Sequence, residues 1–497
     1  MNREHKFIER SIGLFVLICL FLAGCSAQKA LTQKRSKTVE KGLMRAVYLK
    51  GLKPEKLKLA ERMQFYKVPG VSIAAIDKNK LEWARAYGEK DIQTRQPLTT
   101  DTLFQGGAFS QIMTAAAAVR LAERGKLDLD GNIRAKLNSW KLPTLLPGYD
   151  SGGGEIITPK ALLTHSAGLS DQVFAGYAQD EPLPSMTQIL NGVKPANNRP
   201  VWVPGWRSSA TRTVYSEPGY VVLEQLLMDQ AEKPFSAFMK ETVLDPLALK
   251  SSTFELPLPD DLRFRAASGH LHEGQPVIGL WNNYPEAAAK GLWTTPSDFA
   301  TFLVDLLQAA TGNTGKILSP ETARHMLSRQ VESYGFGFLV EGTGDDINFT
   351  LRGKTHGFAC FMTVYPAKAQ GAVIMTNSDN GFMLIQEILC ALAEAYGWPH
   401  GRPEEKPILR LDPATYQQYV GRYEVNPDYI LDVTAEDYYL VIRPTGQAPT
   451  RFYAEGQTLF YSTDPYVRIQ FMRKKMGVFD SLILWQQDFE LEAKRIQ

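Results

Sequence analysis

Two blocks of strand pattern stand far apart in this chain, and any fold it adopts has to bring them together. The first reads VPGVSIAAID and then LEWARAYGEKD, with the turn residues Asp77-Lys78-Asn79-Lys80 between them, so a hairpin is predicted. The second starts at Tyr334 and reads YGFGFLVEG, INFTLRG, FACFMTVYP and GAVIMTNSD. Between the blocks runs a helical, loop-rich section with many Pro and Gly residues from Lys141 to Pro218. A strand must bury its apolar face against a partner, so the sheet is predicted to pair the two ends of the domain, with the insert packed on it as helices. A helix over residues 382–396, stopped by Gly397-Trp398-Pro399, closes the domain. The predicted class is α+β, an antiparallel sheet with helices and a helical insert.

Beyond a predicted linker over residues 401–410 the pattern turns all-β. YVGRYEV, YILDVTA, YYLVIRP, RFYAEG, TLFYST, VRIQFMRK, SLILWQQ and FELEAKR are short strands separated by turn residues. Over residues 411–497 this predicts a meander curled into a small barrel or sandwich. A packed interior is expected there rather than a ligand cavity. Ahead of the first hairpin, residues 44–65 carry a helical pattern.

The N-terminus has its own signature. Arg3, Lys6 and Arg10 precede an almost unbroken apolar run over residues 12–23, which ends in Leu22-Ala23-Gly24-Cys25. A membrane-spanning helix needs roughly 20 residues; a shorter run after a basic segment fits the core of a signal peptide. The Leu-Ala-Gly-Cys ending resembles a bacterial lipobox. That implies removal of residues 1–24, acylation of Cys25, and a polar, basic tether over residues 25–43. Two or more acyl chains suffice for stable anchoring. Ser26 after the cysteine favours the outer membrane, facing the periplasm, in a Gram-negative host. Of the four cysteines, Cys19 leaves with the signal. Cys360 and Cys390 sit in apolar runs and are predicted as buried free thiols, although an exported compartment permits a disulfide.

Composition excludes several functions. The net charge is +2 and 22% of residues are charged, so nucleic-acid binding has no support. No His/Cys cluster has metal-ligand spacing and no glycine-rich loop has a phosphate-binding pattern, so no cofactor is expected.

The segment FQGGAFSQIMTAAAAVRLAERGKLDLD (residues 104–130) has the form of a turn feeding a buried helix, with Gly125 as its stop. This segment, together with KVPGVSIAAID, LLTHSAGLSD, VYSEPGYVVLEQLL, VLDPLALKSSTF, KGLWTTPSDFATFL and GAVIMTNSDNG, in this order, resembles the serine β-lactamase (class C), penicillin-binding protein and D-alanyl-D-alanine carboxypeptidase-esterase family. The resemblance covers residues 44–400, and the C-terminal part resembles the lipocalin-like domain often appended to such proteins. In that family a nucleophilic Ser opens the helix and a Lys follows three residues later, on the same helix face. Here those positions hold Ala108 and Gln111. A methyl group cannot attack a carbonyl, and a neutral amide cannot take a proton at neutral pH.

The family's Tyr-x-Asn motif falls at Tyr215-Ser216-Glu217, which keeps the Tyr and replaces a donor amide by an acceptor carboxylate. Its third motif, Lys-Thr-Gly or His-x-Gly, falls at Leu351-Arg352-Gly353, counted back from Gly357-Phe358, and only Gly353 is kept. Lys354-Thr355-His356 imitates that motif but lies out of register and is predicted as loop. Strand alternation turns Arg352 away from a site that Leu351 and Gly353 face. Ser110 is the one hydroxyl near the lost nucleophile, but Met113, not Lys, stands three residues on; a helix N-terminal capping role is the alternative. His165-Ser166 is read as structural, since chain neighbours seldom face each other, and Asp298 as an acid placed for a helix dipole.

Three functions fit this pattern. The first is a catalytically silent, lipid-anchored relative whose cleft, lined by Ala108, Gln111, Glu217, Leu351 and Gly353 around Tyr215, binds a peptidoglycan-derived peptide or a small ester or amide ligand. The second is an active serine hydrolase with a non-standard nucleophile such as Ser110. The third is a structural protein whose contacts are made by the C-terminal β domain.

Overall fold

The computed structural model describes residues 28–143, 156–170, 172–203, 213–313, 315–473, 479–486 and 489–497. The expected signal segment and Cys25 lie outside the described residues. The chain forms two compact units, Met63–Phe382 and a second made of Met1–Arg62 with Met383–Gln497.

A seven-stranded sheet organises the first unit. Its strands are β1 Gly70–Asp77, β2 Lys80–Asp91, β3 Gln96–Pro97, β4 Leu339–Glu341, β5 Asn348–Thr355, β6 Phe358–Tyr365 and β7 Gln370–Thr376. They lie in the order β3-β2-β1-β7-β6-β5-β4. The two ends meet at β1 and β7, which pair antiparallel with Val71 opposite Thr376 and Ile76 opposite Gly371. Every residue of β1 is buried, as its nearly continuous apolar run requires of a strand covered on both faces.

The insert supplies helices α1 Phe109–Glu123, α2 Glu217–Ala231, α3 Ala287–Lys290 and α4 Pro296–Ala310. In α1 every residue from Phe109 to Val119 is buried, and the small run Ala115–Ala118 lets neighbours approach closely. Ser216 caps α2 and Thr295 caps α4, each accepting from a backbone N–H two or three positions into the helix, with proline in the first turn. Helices and sheet share one apolar core that includes Phe104, Ala108, Ile112, Tyr220, Phe299 and Leu351.

Five local expectations are corrected. Residues 44–65 are not one helix: Gly51, with φ +85°, and Pro54 interrupt the pattern, leaving a strand Val47–Leu49 and a helix Leu59–Phe65. That strand pairs in parallel with Glu404–Lys406, inside the segment read as linker. Residues 28–41, read as tether, are helical, with Ser36 and Val39 fully buried. Lys354 and Thr355, read as loop, end β5. In YGFGFLVEG only Leu339–Glu341 is strand; Gly337 has φ +79° and packs as irregular chain against the start of α1.

In the second unit, eight antiparallel strands from Gly421–Asn426 to Phe489–Arg495 close a barrel. Closure comes where the first strand pairs with both the second and the last. The interior is filled: Tyr419 stacks on Phe471 at 4.4 Å and touches Phe479 at 4.6 Å, with Tyr416, Tyr423 and Phe460 buried around them. This agrees with the expected packed core. Cys360 and Cys390 are free and buried, and burial pushes the Cys390 thiol up to about 12. Among the described residues no helix is long and apolar enough to cross a membrane.

Within the second unit Arg62 is buried between two carboxylates, 2.7 Å from Glu387 and also bonded to Asp464. Removing one partner of a buried pair leaves the other charge uncompensated. Arg62→Met is therefore expected to cost about 3–5 kcal/mol, read as a lower midpoint in urea unfolding.

Candidate functional site

The turn Gln105-Gly106-Gly107 delivers Ala108 to the head of α1, and β5 lies directly on that turn. A Cβ at Gly353 would sit 2.1 Å from the Gly106 carbonyl oxygen, and one at Gly107 would sit 2.6 Å from the Lys354 nitrogen. Only glycine permits this approach, which places Gly353 beside Ala108. Leu351 is buried and shares the Gly353 face of β5, while Arg352 between them is exposed, as alternation predicts.

One helical step along α1, Gln111 is fully buried and its Nε2 donates to the Tyr215 hydroxyl at 2.8 Å. Tyr215 is half-buried. Burial and the nearby Glu217 carboxylate push its hydroxyl well above the usual tyrosine range, so it keeps its proton at neutral pH. The ring of His165 rests against Tyr215 at 4.7 Å, and its Nδ1 accepts the Ser216 N–H at 3.1 Å. Burial lowers His165 to about 4, leaving a neutral ring that buttresses the tyrosine. Ser166 instead bonds Thr164 at 2.9 Å.

The Ser110 hydroxyl is engaged on both sides. It is fully buried, donates to the Gly107 carbonyl at 2.7 Å and accepts the Leu292 N–H at 3.0 Å. It thus ties the start of α1 to residue 292 and does not cap its own helix. Asp298 does more than complement a dipole: its carboxylate accepts from the Ser251 N–H at 2.8 Å and the Ser252 hydroxyl at 3.0 Å.

The Glu217 carboxylate is buried and paired with Lys290 of α3 at 3.0 Å. Its second oxygen accepts the Phe174 N–H at 2.8 Å, and Lys290 donates to the Phe174 carbonyl at 2.8 Å. The ion pair therefore clamps both polar groups of one buried residue. Burial raises Glu217, while Lys290, the Phe174 N–H and the Tyr215 hydroxyl pull it back. Around the pair lie Tyr284, with the Lys290 ammonium 5.6 Å from its ring, and two further buried acids. Glu224 accepts the Ala288 N–H at 2.7 Å, and burial holds it well above the carboxylate range. Glu286 is fully buried, its carboxyl oxygens have no hydrogen-bond partner among the described residues, and burial pushes it up to about 8.

Of the residues singled out in the sequence, the structure sets Gly353 beside Ala108 and joins Gln111 to Tyr215; sequence reading missed Lys290, Glu286 and Phe174. In YPEAAAKGLW the Glu and Lys stand four apart, the spacing of an exposed helical pair. The helix is only four residues long and lies in the core, and Lys290 pairs with Glu217.

The Beta-lactamase family model matches residues 57–392. The chain belongs to this family. Among its relatives, a penicillin-binding protein of Bacillus subtilis (strain 168) is 22% identical over 464 residues, covering 88% of this chain and 96% of the relative. A β-lactamase of Providencia stuartii is 24% identical over 76% of this chain and 94% of its own length. Among solved structures, the octameric penicillin-binding protein homologue from Pyrococcus abyssi matches with a TM-score of 0.60 and 21% identity, over 87% of this chain and 98% of that one. The mixed sheet-and-helix architecture is thus the family's fold, with a closed eight-stranded barrel appended.

A pH dependence follows from the buried acids of this family member. An acid whose folded value lies above its unfolded value keeps a proton that the unfolded chain has released. For Glu286 the stabilisation is complete below about 4.5 and is lost as pH rises toward about 8. Glu286→Gln, which cannot ionise, is expected to flatten a decline of a few kcal/mol. Urea unfolding of both proteins at a series of pH values across that window provides the check.

Proposed function

We propose that this protein is a non-hydrolytic member of the Beta-lactamase family that binds an acyl-type ligand, a cell-wall peptide or a small ester or amide, without turning it over. The observation that carries this reading is the Gln111–Tyr215 hydrogen bond beside Ala108. At the head of α1 there is a methyl group where the family's reaction needs a nucleophile. The neighbouring groups offer no base: an amide donates to a tyrosine that holds its own proton. Ser110, the available hydroxyl, is already used as donor and acceptor. Loss of one member of a nucleophile-base unit typically costs about a millionfold in turnover, and here both are replaced.

The same reading includes export and anchoring through an acylated Cys25, supported by the basic segment, the short apolar run and the Leu-Ala-Gly-Cys ending. In a Gram-negative host this places the protein on the outer membrane, facing the periplasm.

A fluorescent penicillin and a fluorophosphonate are expected to leave the folded protein unlabelled; covalent labelling would overturn the reading. Ala108→Ser combined with Gln111→Lys is expected to gain slow, hydroxylamine-sensitive acylation, because the amine then replaces the amide beside Tyr215. An inert double variant would locate the block in Glu217–Lys290 and Leu351 as well.

A further inference from the structure

The helix over residues 28–41 divides its surface sharply. Ser36 and Val39 are buried, with Thr32 half-buried one turn before them. The opposite side carries lysines: Lys34, Lys37 and Lys41 follow at the spacing of one helix face, while Lys29, seven residues before Ser36, lies nearer the buried side. All four are exposed, and none of their ammonium groups has an acidic partner among the described residues. Within the helix five basic residues meet one acid, Glu40, although the whole chain carries only +2. A groove of about 750 Å³ runs along it, lined by Leu31, Lys34, Lys37, Lys41 and Lys56. The one acid at this groove, Glu394, is already paired with Lys56.

We propose that this lysine face docks on an anionic phospholipid surface and lays the start of the protein along the membrane. The location of the helix argues for lipid as the occupant. Gln28, where the described chain begins, is three residues beyond Cys25, and three extended residues reach at most ~10 Å. That is about one Debye length at 0.1 M salt, the range over which headgroup charge acts on a cation. Lysine stems lie along an interface while their ammonium groups meet phosphate. Each such lysine contributes about 1 kcal/mol, or about fivefold, to membrane affinity. The inference rests on the anchoring reading only for the position of the bilayer.

The full-length protein is reconstituted on vesicles of phosphatidylcholine with or without phosphatidylglycerol, and lysines are acetylated and read by mass spectrometry. Lys34, Lys37 and Lys41 are expected to be protected at least about fivefold on the anionic vesicles only. Protection should vanish in about 1 M salt, where charges are screened beyond ~3 Å. Exposed Lys126 and Lys250, away from this face in sequence, serve as internal controls. Equal labelling on both vesicles overturns the proposal, as does protection conferred by a soluble polyanion such as RNA but not by anionic vesicles. The mass of the N-terminal peptide separates the two readings. An acylated Cys25 with unprotected lysines refutes docking alone, and protected lysines on a chain without acyl groups refute anchoring alone.

Discussion

Antiparallel pairing of β1 with β7 is the contact on which the first unit is built. It ties residues 70–77 to residues 370–376 and closes the whole helical insert into one loop. The entropy of closing a loop grows only logarithmically with its length, so a long insert adds little to the cost. A central strand buried on both faces supplies the apolar burial that offsets it. Everything near the site inherits its position from that pairing. Strand β5 stands two places from β7, and at Gly353 it meets the turn that opens α1. The site forms at this seam because two glycine-permitted backbones touch there.

The chemistry at the seam is governed by where a buried ammonium sits. It comes from Lys290 on α3, and it neutralises Glu217. On α1 the corresponding face carries Gln111, which has an amide to offer Tyr215 and no charge. A buried ion pair is expensive to desolvate and becomes tolerable only when its remaining hydrogen bonds are made. The Phe174 backbone makes them, with its N–H on Glu217 and its carbonyl on Lys290. The pair therefore acts as a clamp on the residue-174 segment.

Charge is organised in a parallel way in the second unit. Arg62 is enclosed by Glu387 and Asp464, so its charge is internal and structural. Lys34, Lys37 and Lys41 of the residue 28–41 helix are exposed, with no acidic partner among the described residues. A nearly neutral total conceals this segregation, because net charge reports a sum and binding responds to a face.

Much of this was legible in the amino-acid order. The strands of both β regions, the end-to-end pairing of the sheet, the buried helix at residues 109–123 and the absence of Ser and Lys at its head all follow from local pattern. Local pattern carries them because a strand's alternation, a helix's period and a residue's chemical identity are properties of short windows. Other features are not local. Glu286 and Lys290 stand four apart, a spacing that carries no sign of burial, yet the tertiary structure buries both and gives Lys290 to a residue far away in sequence. Residues 28–41 read as a tether, yet a packing surface for Ser36 and Val39 turns them into a helix with a lysine face. Lys354 and Thr355 read as loop, yet pairing with β6 extends the strand through them. In each case the deciding energy is desolvation or pairing against a distant segment. Sequence by itself determined the main strands, the residue 109–123 helix and the identity of the residues at its head; only tertiary structure decided the remaining elements and which charges are buried, because both depend on what the rest of the chain places against them.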